Sequence, residues 1–489
     1  MSAPPPSGAV IANTRHQILR SSAIIGGASV ANIGFGLLRM KAAALLLGPA
    51  GIGLIGLLQN VMAIAAALAG LGVASSATRL IAAERTARGS EGEMHARRAL
   101  FFVTGGLALI GSIGLWVLRR PVAGFILHDR ALTSQIGWLS LGVGLTIVAG
   151  SQVALLAGLR RVADVAWASL IAGALSAVIA ICAIALWGSG AIVIFVLAVP
   201  LAGSIAGAAI VLKSRSPKSP KSPPRGLLAS ARQMIGLGSA FMVTMLIGTA
   251  AQLAVRSVIS DHEGLAALGQ FQAAWLISTT YTGLVLQAMS TDYFPRLTES
   301  IAAGDSPSDI VSQQLEVALL LAAPILLLII GVAPLVLELL YSSSFREAAE
   351  ILRWQALGDI LKVASWPLGF IFLASGRGTL FVTVEATGWA VFIAATWLLL
   401  PQAGIEAPGI AFLLMYAAYF PMVLAGSRRM TGFRLGRECG APLLFLLITA
   451  LLVFFSARFS EWAAAAAGTC SAGAFAWYAF RKLRPHLSF

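Results

Sequence analysis

Runs of eighteen or more mostly apolar residues recur along this chain, each long enough to cross a hydrocarbon core of about 30 Å as a helix. Lipid offers no partner to a bare N–H or C=O group, so a spanning segment must satisfy its own backbone, and continuous apolar runs select helix. The runs predict an all-α polytopic membrane protein with about fourteen transmembrane helices, near 18–38, 50–78, 99–118, 136–158, 164–187, 191–212, 233–256, 265–291, 314–337, 351–375, 379–400, 406–427, 441–457 and 461–480. No connecting segment exceeds roughly 25 residues, too short for a soluble domain of at least about 50. The chemistry of the chain must therefore take place among its helices.

Internal echoes divide the spans. Gly51–Gln59 (GIGLIGLLQ) is echoed by Gly264–Gln272 (GLAALGQFQ), 213 residues later, while Leu141, Gly142, Leu145 and Arg161 reappear as Leu357, Gly358, Leu361 and Arg377 at an offset of 216. Two echoes at nearly one offset, in register with the hydropathy, predict a duplicated bundle, as in many secondary transporters. The expected organisation is an N-terminal tail (1–17), a first six-helix lobe (18–212), a Pro/Ser/Lys linker (213–232) and a second, pseudo-symmetric lobe (233–427). A basic loop (428–440), two appended helices (441–480) and a C-terminal tail (481–489) complete it. The tail 1–17 holds three consecutive prolines and only two basic groups, and no small-residue cleavage site closes the first apolar run, so no signal peptide is expected.

Charge sets the expected orientation. With the N-terminus in the cytoplasm, most of the 34 Lys and Arg residues fall in cytoplasmic segments, and an even number of spans returns the C-terminus to that side. The net charge of +14 is thus a matter of topology, spread over short loops in a chain that is 58% hydrophobic, and no nucleic-acid partner is expected. The three cysteines show no close spacing and the five histidines lie outside the predicted spans, so neither a disulfide framework, a metal site nor a histidine relay is expected. No Gly-x4-Gly-Lys-Ser/Thr, His-Glu-x-x-His or Gly-x-Ser-x-Gly motif occurs. No cofactor and no enzymatic activity are expected, and an ion gradient or the cargo's own gradient must supply the energy.

Ionisable groups within spans are costly and face a cavity or a partner. Asp359 and Lys362 share one helix face, and Glu385 stands in the next span; the first-lobe equivalents are Val143, Thr146 and Ser169, so charge occurs on one side only. These acids are candidates for ion coupling or for simple pairing. Arg39 and Arg256 would each end the first helix of a lobe, with Lys41 beside the former; together with Lys362 they are the candidate cations of a substrate cavity, although snorkelling to the interface also accounts for them. Gln59 and Gln272, one per lobe, are polar cavity candidates or interhelical hydrogen-bond partners. Trp275, Tyr281, Trp354, Trp366 and Trp389 offer faces to sugar rings or belong to interfacial belts. Pro324, Pro334, Pro367 and Pro421 mark candidate kinks.

Several phrases carry a family likeness: Leu47–Gly53 (LGPAGIG), Ala69–Gly72 (AGLG) followed by Arg79 and Ala83-Glu84, and Tyr293–Leu297 (YFPRL). The most specific is Trp354–Asp359 (WQALGD) with Lys362 and Trp366, then Leu373–Arg377 (LASGR). Across about 18–430 the chain resembles the Wzx-type flippases of lipid-linked oligosaccharides, within the multidrug/oligosaccharidyl-lipid/polysaccharide exporter superfamily, in the branch handling O-antigen and enterobacterial common antigen units. The resemblance implies alternating access by two lobes around a cationic cavity in the bacterial inner membrane. The substrate would be an undecaprenyl-pyrophosphate-linked glycan, and glycan polymerase and glycosyltransferases of the same pathway would be partners. A drug/cation antiporter of the same superfamily is the alternative, followed by a membrane-embedded glycan polymerase or ligase and by a non-transporting scaffold.

Overall fold

The computed structural model describes residues 8–213 and 227–487, so the core of the predicted linker, 214–226, lies outside the described residues. Among the described residues the secondary structure is helical and no strand occurs: α1 (Gly8–Gly70), α2 (Val73–Pro121), α3 (Thr133–Gly158), α4 (Val162–Trp187), α5 (Ile192–Lys213), α6 (Leu227–Ala303), α7 (Ser308–Leu340), α8 (Ala348–Ala374), α9 (Gly378–Ala403), α10 (Ala407–Thr431), α11 (Arg437–Phe459) and α12 (Glu461–Leu487). Among the described residues eight segments are long and apolar enough to cross a membrane; Val162–Lys213 and Gly378–Thr431 each hold two of the predicted spans, and Gly26–Gly70 takes in most of two more. Large apolar side chains such as Phe101, Phe125, Leu186 and Phe459 point outward, as a lipid-facing surface requires. The all-α polytopic membrane fold is the one the apolar runs dictate.

The helix ends depart from the predicted spans in informative ways. The span placed at 50–78 stops at Gly70, because Leu71 and Gly72 both take positive φ (47° and 63°) and the chain turns before α2 begins. Gly72 meets Gly238 so closely that an added Cβ would strike its carbonyl oxygen. Arg39 and Arg256 do not end helices: the first pieces of α1 and α6 continue for more than two further turns, to breaks at Gly48 and Gly264. The charge truncated the apolar window, not the helix. Of the four prolines, only Pro334 stands beside a non-helical residue, Val332; helical geometry continues through Pro324, Pro367 and Pro421. The basic loop shrinks to 432–436, and α1 already begins at Gly8, within the predicted tail.

Two compact units emerge. One comprises the described residues of Met1–Leu47 and Ile55–Ala250; the other comprises Gly48–Leu54 and the described residues of Ala251–Phe489. In the first, α2 packs on α3, and α5 packs on α3 and α4. In the second, α10 packs on α8 and α9, while α11 and α12 pack on α7 and on each other. The core of the second unit gathers Leu368, Phe372, Val384, Tyr419 and Phe433.

Backbone conformations recur at one offset along the chain. Gly48 (φ 64°, ψ −169°) matches Gly264 (φ 80°, ψ 176°), and Gly188 (φ 55°, ψ −134°) matches Gly404 (φ 52°, ψ −132°), both pairs 216 residues apart. The turn after α3, where Arg161 N donates to Leu156 O, recurs after α8, where Arg377 N donates to Phe372 O, each at 2.9 Å. The 213-residue echo is therefore a shifted reading, and Gln59 and Gln272 are not equivalent positions; Gln272 corresponds to Gly56, and Gln59 to Trp275.

Candidate functional site

In the second unit, α6, α8, α9 and α10 bring most of the candidate residues together. Asp359, fully buried on α8, accepts hydrogen bonds at Oδ2 from Ser278 Oγ (2.7 Å) and from the Tyr281 hydroxyl. Its Oδ1 has no hydrogen-bond partner and faces Lys362 Nζ at 3.4 Å. Lys362 Nζ also donates to Thr282 Oγ1 at 3.1 Å, and its side chain remains 20% exposed. The carboxylate is thus enclosed, whereas the ammonium keeps an open face.

Arg256 lies on α6 and is 4% exposed. Its Nε donates to Gln272 Oε1 (3.1 Å) and one terminal nitrogen to Gln252 Oε1 (3.2 Å), so amide dipoles orient the guanidinium without neutralising it. No ion pair among the described residues involves it. It sits 5.9 Å from the Trp275 ring, within cation–π range.

Aromatic rings connect the charges. Trp275 meets Phe412 edge-on at 5.6 Å, Phe412 meets Tyr416 at 5.0 Å, and Tyr416 meets Tyr419 at 5.8 Å. The last three succeed one another along one face of α10, at spacings of four and three. Lys362 Nζ lies 5.7 Å from the Phe412 ring, and Tyr419 donates to Glu385 Oε1 at 2.7 Å. The result is a lane of rings with Arg256 at one end, Lys362 beside its middle and Glu385 at the other end.

The first unit treats the same locus differently. A cavity of about 740 Å³ is lined by Thr146, Ser169, Gly173, Pro200 and Gly203, with Arg39 as its cation. Shifted by 216, these positions become Lys362, Glu385, Trp389, Tyr416 and Tyr419. Small residues leave space where the second unit is filled by charge and aromatic rings. Arg39 lies 5.2 Å from the Phe195 ring, and its Nε has no hydrogen-bond partner. Lys41 and Gln59, both half-buried on α1, do not line this cavity. The sequence-derived cations therefore divide, Arg39 and Lys41 in the first unit, Arg256 and Lys362 in the second.

Sequence reasoning missed Ser278, Thr282, Gln252 and Tyr419. A signal existed: Ser278, Tyr281 and Thr282 are spaced three and four apart, which presents three hydroxyls on one face of α6. The partner of those hydroxyls stands some eighty residues away on α8, a contact that no local pattern encodes. Trp354, read as a stacking or belt residue, donates through Nε1 to Glu406 at 3.0 Å. Among the described residues no group of three His, Cys, Asp or Glu side chains could hold a metal ion.

Residues 18–301 match a family described as "Polysaccharide biosynthesis protein". The chain is 23% identical over 413 residues to the lipid III flippase of Escherichia coli (strain K12), covering 83% of this chain and 97% of that protein. Among solved structures, the lipid II flippase MurJ in its inward closed conformation superposes with a TM-score of 0.71 at 12% identity, covering 94% of this chain and 100% of the other. An inward-facing multidrug resistance MATE family transporter of the MOP superfamily gives 0.69 at 18% identity, covering 81% and 94%. Identities this low establish a shared fold.

Proposed function

The chain belongs to the polysaccharide biosynthesis protein family, and on that premise we propose that it is a flippase for an undecaprenyl-pyrophosphate-linked oligosaccharide. The cargo would be an O-antigen or related surface-glycan repeat unit, carried from the cytoplasmic to the periplasmic leaflet of the bacterial inner membrane, with both termini cytoplasmic. Two pseudo-symmetric six-helix lobes would alternate access, with α11 and α12 appended to them. The lipid tail stays in the bilayer while the charged and sugar-bearing parts cross within the protein. Glycan polymerase and glycosyltransferases of the same pathway would supply and consume the cargo.

The observation that carries this reading is Arg256, a buried cation held by two neutral amides. An un-neutralised charge away from water is costly, and its retention is explained by an anionic guest that visits the site. A pyrophosphate is such a guest, and a guanidinium fork suits its oxygens. Lys362 stands along the lane with its open face as a second stop, and Tyr416, half-buried next to the core rings of Trp275 and Phe412, is the ring of the lane placed to meet a sugar. Arg39, at the first-unit cavity, supplies the corresponding charge there. Proton coupling falls to Asp359 or Glu385, each already engaged by a tyrosine hydroxyl.

The drug/cation antiporter reading draws on the MATE-like fold. It requires an acid open to a cationic guest; Asp359 is instead enclosed by Ser278, Tyr281 and Lys362, and the half-buried Glu385 is engaged by the Tyr419 hydroxyl. Proteoliposomes decide between the two. A labelled undecaprenyl-pyrophosphate oligosaccharide should become accessible to an impermeant sugar-modifying reagent only when the protein is present. Movement of a cationic dye with the glycan left in its original leaflet, across several glycans, would replace this reading with the antiporter.

A further inference from the structure

At the end of α10 a second basic cavity, of about 730 Å³, has no place in the translocation reading. Arg428 and Arg429 close the helix, and Arg434 faces the same space from the following loop. No carboxylate lines it, and none of the three arginines takes part in an ion pair among the described residues. Below them the wall is apolar: Pro421, Leu424 and Leu435.

The loop that shapes this cavity is fixed. Gly432 takes φ 72° and its N–H caps Arg428 O at 3.0 Å, which reverses the chain at the helix end. Phe433, the next residue, is fully buried among Leu368, Phe372 and Val423, so the loop is pinned to the core of the second unit. Arg434 is thereby placed beside Arg428 and Arg429 with little freedom of backbone. Three guanidiniums around one space are a multidentate hydrogen-bond donor site for phosphate oxygens.

We propose that this cavity binds the phosphodiester headgroup of an anionic bilayer lipid, with the first part of its acyl chains against Pro421 and Leu424. Two features favour a lipid over a free phosphate. The space is far larger than one inorganic ion needs, and Pro421 and Leu424 of its apolar wall belong to Gly378–Thr431, a segment long and apolar enough to lie in the membrane. Arginines at the end of such a segment fall at headgroup depth, where anionic lipids concentrate. The site is independent of the glycan-carrying lane, since it uses none of its residues.

The test uses the full-length protein in neutral detergent, titrated calorimetrically with short-chain phosphatidylglycerol, with phosphatidylcholine of the same chain length, and with inorganic phosphate. Saturable binding of phosphatidylglycerol is expected, at least tenfold tighter than either control. The R428Q/R429Q/R434Q variant should lose at least tenfold in affinity while its unfolding temperature stays near that of the parent. If the triple variant does not fold, Arg434→Gln alone, on the loop, should weaken binding at least threefold. Equal affinity for inorganic phosphate would overturn the lipid assignment, and unchanged phosphatidylglycerol binding in the variants would overturn the site.

Discussion

Lys362 stands one turn after Asp359 on α8, with its Nζ 3.4 Å from a carboxylate oxygen that has no hydrogen-bond partner. The pair is uneven: the carboxylate is fully enclosed and the ammonium is 20% exposed. Removing the lysine strands a buried charge, which typically costs about 3–5 kcal/mol. Lys362→Ala should therefore lower stability sharply, and adding Asp359→Asn should restore most of it. Thermal unfolding of the three proteins in detergent checks this. Lys362→Ala as stable as the parent would mean that the pair contributes nothing to the fold.

The backbone match between Gly188 and Gly404 makes a symmetric prediction. Both occupy a region of positive φ with ψ near −130° that side chains avoid, so alanine at either should cost about 1–3 kcal/mol. Neither has a neighbour within 4 Å of an added Cβ, so the cost is backbone strain alone. Unfolding measurements on G188A and G404A should give similar losses, and a loss in only one would count against a shared conformation.

Gly53 and Gly269 mark a close crossing within the second unit. A Cβ on Gly53 would strike Leu265 O, and one on Gly269 would strike Pro49 O. Backbone cannot yield as a side chain can, so Gly269→Ala should destabilise by about 1–3 kcal/mol or more. Low expression with retained secondary structure by circular dichroism is the expected sign.

Arg353 ties the last helix, α12, to the rest of the second unit. Its buried guanidinium donates to Ile330 O at 3.1 Å, to Glu350 Oε1 at 2.5 Å and to Glu461 Oε2 at 2.6 Å, which joins α7, α8 and α12. Glu461 is 58% exposed at its side chain, so E461Q should cost at most about 1 kcal/mol. Arg353→Ala leaves Glu350 without its closest partner and empties a buried site, and it should cost several times more. Comparable melting temperatures for the two variants would contradict the assignment.

The sequence and the structure agree where the governing physics is local and repetitive. Apolar runs dictated membrane helices, and the 216-residue echo around Arg161 and Arg377 named a register that the backbone repeats. Positions that depend on single turns were harder to read. The Gly48-Pro49 dipeptide could have signalled the break in α1, but Gly264 has no such neighbour, and the apolar window ended both helices at their arginines instead. The aromatic lane was half visible. Trp275 stood out by type, whereas Tyr416 and Tyr419 gain meaning only through Phe412 and Glu385, brought close by the packing of α10 on α8 and α9.

Arg256 is the residue on which the proposed anion path depends most directly. The decisive measurement is the initial rate at which a labelled undecaprenyl-pyrophosphate oligosaccharide becomes accessible at the far leaflet of proteoliposomes, with the parent protein and with Arg256→Gln at equal reconstituted amounts and equal thermal stability. A loss of at least tenfold is predicted, about the effect of losing one charge-assisted contact worth roughly 1.4 kcal/mol. A variant that moves the glycan as fast as the parent would contradict a pathway in which this buried cation meets the pyrophosphate.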